Sequence, residues 1–181
     1  LEQQLVALDR QVGDVQFEVV LVDNGSSDDT AEIARQFPAT RFTLRVVEEP
    51  RAGINYSRNA GIRAAADGAV LLCDADDEAE PSWVQAMVDA LEPGHWVAGV
   101  VDYTTLNSAR TRLQWGAPIR SGCVVAEPFV DRTFGCCCGF WKSMWVEIGE
   151  FDVRLSGIGG DETEFFFRAH REGYRQAWAP D

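Results

Sequence analysis

The sequence predicts an α/β domain: a mostly parallel sheet flanked by helices. Three observations point to the parallel α/β architecture. Short runs rich in Val and Leu recur at residues 17–22, 69–73 and 96–103, too uniformly apolar for strands with one wet face. Segments of helical period separate them, the alternation that right-handed crossovers require. Two of the runs end directly in polar turns, Asp23-Asn24-Gly25 and Asp74-Ala75-Asp76. Ligands of such sheets bind outside the carboxyl ends of the strands, so both turns belong to the functional rim.

In chain order, residues 1–11 read as an amphipathic helix with Leu1, Leu5 and Leu8 on one face. Residues 17–22 form the first strand. The next helix opens on Asp29 and Glu32, spaced as a capping box, and turns Ile33 and Phe37 inward. Residues 42–47 are a second strand, and 53–66 a helix closed near Asp67-Gly68. A third strand at 69–73 runs straight into carboxylates. Pro81 suits the first turn of a helix reaching Leu91, and residues 96–103 make a fourth strand. Residues 104–134 lack a period and read as a long functional loop with one short strand at 122–126. Two more helices, 142–148 and 163–172, are stopped by Gly149 and Gly173, and residues 174–179 look extended.

The chain has 181 residues, enough for one domain with a real core. With 16 basic against 29 acidic side chains its formal charge is −13, which excludes a general nucleic-acid binder. No apolar stretch approaches the ~20 residues of a membrane-spanning helix. The five cysteines (Cys73, Cys123, Cys136, Cys137, Cys138) have no C-x-x-C spacing and read as reduced thiols. The expectation is a cytoplasmic protein or one peripheral at the inner face of the membrane.

No dinucleotide-binding or P-loop glycine pattern is present. With only His95 and His170, zinc and Ser-His-Asp sites are also excluded. What remains is carboxylate chemistry. Five acids fall within residues 74–80, and three more are Asp161, Glu162 and Glu164. Asp74-Ala75-Asp76, extended by Asp77, crowds negative charge at a strand end, which a shared cation relieves. Such oxygen donors select Mg²⁺ or Mn²⁺, ions that take one or two carboxylates plus phosphate oxygens. Trp115, in the long loop, is a candidate platform for a sugar face. Trp141 and Trp145 are spaced i,i+4 on a short helix, where packing is the simpler reading. Of Phe165, Phe166 and Phe167, a helix cannot turn all three inward.

Four segments, in order, resemble glycosyltransferase family 2. They are Val20-Leu21-Val22-Asp23-Asn24-Gly25-Ser26 with Asp28; Arg58-Asn59-Ala60-Gly61-Ile62; Leu71-Leu72-Cys73-Asp74-Ala75-Asp76-Asp77; and Gly149-Glu150-Phe151-Asp152 followed by Gly159-Gly160-Asp161-Glu162-Thr163-Glu164 and Arg168. The resemblance implies a GT-A fold and metal-dependent, inverting transfer from a nucleotide-diphosphate sugar to a hydroxyl of a glycan, lipid-linked or other acceptor. It implies donor contacts at Asp23, Asn24, Arg58, Asp74 and Asp76, and Mn²⁺ or Mg²⁺ held by Asp76, Asp74 and Asp77. It places the base at Glu162, with Asp161 beside it, although the family commonly has the order Glu-Asp. Acceptor contacts are assigned to Trp115, Trp141 and Glu164. The free N–H groups of a helix start are expected to keep that base ionised. Asp161 also reads as a simple N-cap. Two alternatives stay open: a non-catalytic sugar-nucleotide-binding module on the same fold, and a nucleotidyltransferase. The family opens with a strand ahead of the first helix. The expectation is therefore a single domain over residues 1–181 that is a fragment, lacking its first strand and its C-terminal end.

Overall fold

A computed structural model of the chain describes residues 1–102, 104–111, 133–155 and 160–180. Helix α1 (Glu2–Asp9) buries Leu5 and Leu8. Strand β1 (Glu18–Asp23) pairs in parallel with β2 (Thr43–Glu48), from Glu18 opposite Thr43 to Asp23 opposite Glu48. Between them lies α2 (Thr30–Gln36), where two expectations fail. Asp29 makes no side-chain cap. Asp28 accepts the Thr30 N–H instead at 3.1 Å, and Glu32 accepts from Gln36 at 2.5 Å. Ile33 is 41% exposed because this short helix turns its small residue, Ala34, to the interior. Phe37 does pack inward, stacked on Phe42.

Helix α3 (Ile54–Ala64) starts after Gly53, whose φ of +138° disfavours any side chain. It leads to β3 (Ala69–Cys73), then α4 (Trp83–Asp89) and β4 (His95–Ala98). Strand β5 (Cys137–Trp141) follows, with α5 (Lys142–Ile148), α6 (Asp161–Arg171) and β6 (Arg175–Trp178). These strands form a sheet of order β3-β5-β4-β6. Parallel pairing holds for β1–β2 and β4–β6. β5, which the sequence does not announce, runs antiparallel to both of its neighbours. Its mid-strand Gly139 makes room for this. A Cβ there would lie 2.4 Å from a Leu71 methyl and 3.1 Å from a Val97 methyl.

Beneath this sheet Trp96, Phe140, Phe151, Phe165 and Phe166 form one buried cluster with Met144 and Trp145. Each such side chain contributes roughly 1.5–3 kcal/mol by leaving water. Phe167 is the member of its triplet that faces out, at 41% exposure. Trp115, Cys123 and the strand expected at 122–126 lie outside the described residues. The other four cysteines are free thiols. Among the described residues, no helix is long and apolar enough to cross a membrane.

The two sheets do not touch edge to edge. Between β1 and β3 lies a cavity of about 610 Å³, walled by Leu5, Leu8, Val19, Leu21, Ile62 and Leu71 among others. The start of α1 is tied to the end of β3: Gln4 donates to the Asp74 carbonyl at 3.4 Å and accepts from the Ala79 N–H at 2.8 Å.

Candidate active site

The ends of three elements meet at one rim. β3 delivers Asp74 just past Cys73. Because β5 runs antiparallel with Cys137 opposite Cys73, the residue before β5, Cys136, arrives beside Asp74. The third element is α6, which begins at Gly160, left-handed with φ +93°. Asp161 is therefore the first helical residue, and Gly160 takes the N-cap place the sequence reading gave to Asp161.

Oxygens of Asp74 and Asp77 and the Cys136 sulfur all lie within 4.8 Å of one another. Donors facing each other across one ion at 2.1–2.6 Å are separated by about that much, so the set fits a single divalent cation. Desolvation raises the Asp74 carboxyl above its usual value, opposed by Arg58 and reinforced by Asp76 and Asp161. Desolvation likewise raises Asp77, with the Asp74 and Asp76 charges adding to it. Burial and the Asp77 and Asp74 charges push the Cys136 thiol up. A bound cation reverses each of these penalties. Asp76 faces solvent and is not one of the three clustered donors.

Arg58, from α3, forms a close ion pair with Asp161, whose side chain is 4% exposed, and reaches Glu162 at 3.8 Å. Its guanidinium lies 5.5 Å from the Phe151 ring centre. Gly135 passes so near that a Cβ would fall 1.9 Å from an Arg58 nitrogen. Arg58 is thus an internal partner of the acidic pair. Glu162 departs from expectation. Its pKa is raised, first by burial and then by its hydrogen bond and charge contact with Asp161, outweighing a backbone hydrogen bond and Arg58. The helix start does not prevail here because burial and the neighbouring Asp161 outweigh the backbone hydrogen bond.

Other anticipated residues are placed differently. Asp23 accepts the Ser26 N–H at 2.9 Å, which lowers its pKa. The Asn24 amide brackets the exit of β2: it donates to the carbonyls of Glu49 (2.6 Å) and Arg51 (2.8 Å) and accepts from Gly53 (2.9 Å). Arg51 pairs with Glu49 at 2.6 Å and stacks over Tyr56. Glu164 pairs with Arg168, which donates to the Ile148, Gly149 and Glu150 carbonyls and so clamps the end of α5. Trp141 is not brought to the rim. It pairs with Ala69, at the opposite end of β3 from Asp74, and packs against the cluster of Met87, Leu91, Val97 and Ala179. Trp145 is core, bonded to Asn59 at 3.3 Å. Cys136 was missed as a rim residue because its place follows from an antiparallel strand that lacks β-branched residues.

Comparison with known proteins agrees with this architecture. The model of a family described as Glycosyl transferase family 2 matches residues 2–148. The chain is similar to glycosyltransferase AglE of Haloferax volcanii, 33% identical over 91% of this chain and 55% of that protein. It is also 32% identical to a chondroitin synthase of Escherichia coli, over 87% of this chain and 28% of the synthase. The chain therefore spans about half, or less, of these relatives. In structure it resembles the mannosyltransferase PcManGT from Pyrobaculum calidifontis, solved with GDP-Man and Mn²⁺ (TM-score 0.73, 23% identity, 99% of this chain and 50% of that one). It likewise resembles S. aureus TarS residues 1–349 solved with UDP (TM-score 0.68, 20% identity, 99% of this chain and 53% of that one). At these identities the structural likeness speaks for the fold, which is of the GT-A type.

Proposed function

The chain belongs to glycosyl transferase family 2, and from that premise we propose that it carries the donor site of a metal-dependent, inverting glycosyltransferase. The reaction is attack of an acceptor hydroxyl on the anomeric carbon of a nucleotide-diphosphate sugar. The observation that carries this reading is the meeting, at one rim, of the Asp74–Asp77 donor pair with the Arg58–Asp161–Glu162 set. GDP-mannose and UDP, present in the related structures, define the donor classes to test first.

Each residue takes a distinct part. Asp74 and Asp77 would hold the cation, which would supply Lewis acidity at the departing diphosphate. Arg58 neutralises Asp161 and fixes the first turn of α6. Glu162 accepts the hydroxyl proton on its carboxylate. Its raised pKa makes it a stronger base than a fully solvated glutamate while it is ionised. Asn24 and Asp23, at the end of β1, present the β1 turn to the nucleotide. Asp76, facing solvent on the same rim, would reach the donor phosphates only through the cation.

Glu162→Gln tests the assignment. Transfer or donor hydrolysis should fall by about a hundred- to ten-thousand-fold with donor affinity retained. Undiminished turnover in that variant would remove Glu162 as the base, whereas no turnover of any nucleotide sugar by the parent protein would favour the non-catalytic reading.

The domain organisation belongs to the same proposal. The cavity between β1 and β3 takes one further strand, parallel to both and supplied by residues ahead of Leu1. Because Gln4 ties the start of α1 to the rim, a chain leaving such a strand at the rim enters α1 directly. Hydrogen exchange should show the cavity-facing amides of β1 and β3 gaining protection in a polypeptide extended ahead of Leu1, while the amides paired to β2 and β5 are protected either way. Equal protection without the extension would contradict it.

A further inference from the structure

We infer that Cys136 is a third, sulfur donor to the cation held by Asp74 and Asp77, and that it tilts the site away from Mg²⁺ toward softer divalent ions. This rests on the reading of the rim as a cation site. Three features carry it. The antiparallel register of β5 against β3 places Cys136 next to Asp74 as a consequence of the fold, since Cys73 and Cys137 are directly paired. The Cys136 sulfur lies within 4.8 Å of both carboxylate donors. And the preceding residue, Gly135, lies against Arg58, where a Cβ would fall 1.9 Å from a guanidinium nitrogen, so a side chain there would have to displace the arginine from its pair with Asp161.

The chemistry of the donor set decides the selectivity. Mg²⁺ demands oxygen ligands in near-ideal octahedral geometry, whereas thiolate favours the later and softer ions. Binding forms a metal–sulfur bond and breaks the S–H bond, and the proton passes to solvent. The two carboxylates and the thiolate leave room for phosphate oxygens to complete the coordination.

Titration of the full chain with Co²⁺, followed by absorption, tests this. A sulfur-to-cobalt charge-transfer band in the near ultraviolet is expected, and Cys136→Ser should abolish it. Cys73→Ser, one residue from Asp74 on the paired strand, should leave it intact. Cys136→Ser should also weaken Co²⁺ binding at least about tenfold and change Mg²⁺ binding far less. Cys136→Asp, which restores an oxygen donor, should retain Mg²⁺ while lacking the band, and circular dichroism checks that both variants fold. Cobalt bound without a sulfur band, or a band surviving in Cys136→Ser, overturns the role of Cys136 and leaves the carboxylate site standing. Failure to bind any divalent ion, with or without UDP, overturns the cation site itself.

Discussion

Arg58 carries more of the site than any other single side chain, since one guanidinium serves a buried aspartate, a glutamate and an aromatic face. Removing one partner of a buried pair strands the other charge. Arg58→Ala should therefore cost about 3–5 kcal/mol of unfolding free energy, read by urea denaturation. Glu162 makes the opposite prediction for stability. A carboxyl whose folded pKa is raised stabilises the fold when protonated. That contribution is present below its ordinary value of 4.5 and is lost as pH rises through the folded value. Glu162→Gln should melt higher than the parent protein at neutral pH, and the gap should close as pH falls below about 4.5. A gap that widens in acid would contradict the assignment. At this scale the sequence announced the acids well. Asp74, Asp77, Asp161 and Glu162 all reach the rim, because acids that directly follow a strand or open a helix have their location set by short-range structure. It could not announce which acid Arg58 would choose, a matter of contacts a hundred residues apart. Nor could it show that the Asn24 amide is used up locally by the exit of β2.

Strand β5 decides the architecture of the second sheet, yet Cys-Cys-Gly-Phe-Trp carries little local signal for a strand. It has no β-branched residue and a central glycine, both unfavourable in isolation. Its stability comes from burial between β3 and β4, where only the absent side chain of Gly139 lets the strands approach. Gly139→Ala should accordingly lower stability by about 1–3 kcal/mol through overpacking, measurable as a drop in Tm. The parallel elements were legible because their apolar runs and crossovers repeat a local pattern. Missing β5 had two consequences: it concealed the approach of Cys136 to Asp74, and it left Trp141 to be read as helical when it ends a strand on the far side of the sheet. Helix α2 was misread for a smaller reason. Its capping oxygen comes from Asp28, so the buried position falls on Ala34 and Ile33 turns outward.

Among the described residues the molecule has two sheets with a cavity between them, the end of β3 lying on the acidic rim, and the chain carries a net charge of −13. Desolvation and mutual repulsion raise the Asp74 and Asp77 carboxyls, a penalty that a bound cation would offset. A diphosphate approaching this rim meets repulsion unless a divalent ion comes with it, so donor binding and cation binding are linked. The most direct measurement is the melting temperature of the chain with UDP or GDP, in the presence and absence of Mn²⁺, repeated on Asp74→Ala and Asp77→Ala. At least one nucleotide should raise Tm only together with the ion, and neither variant should respond. A nucleotide-induced rise that needs no divalent ion and persists in both variants would contradict the account.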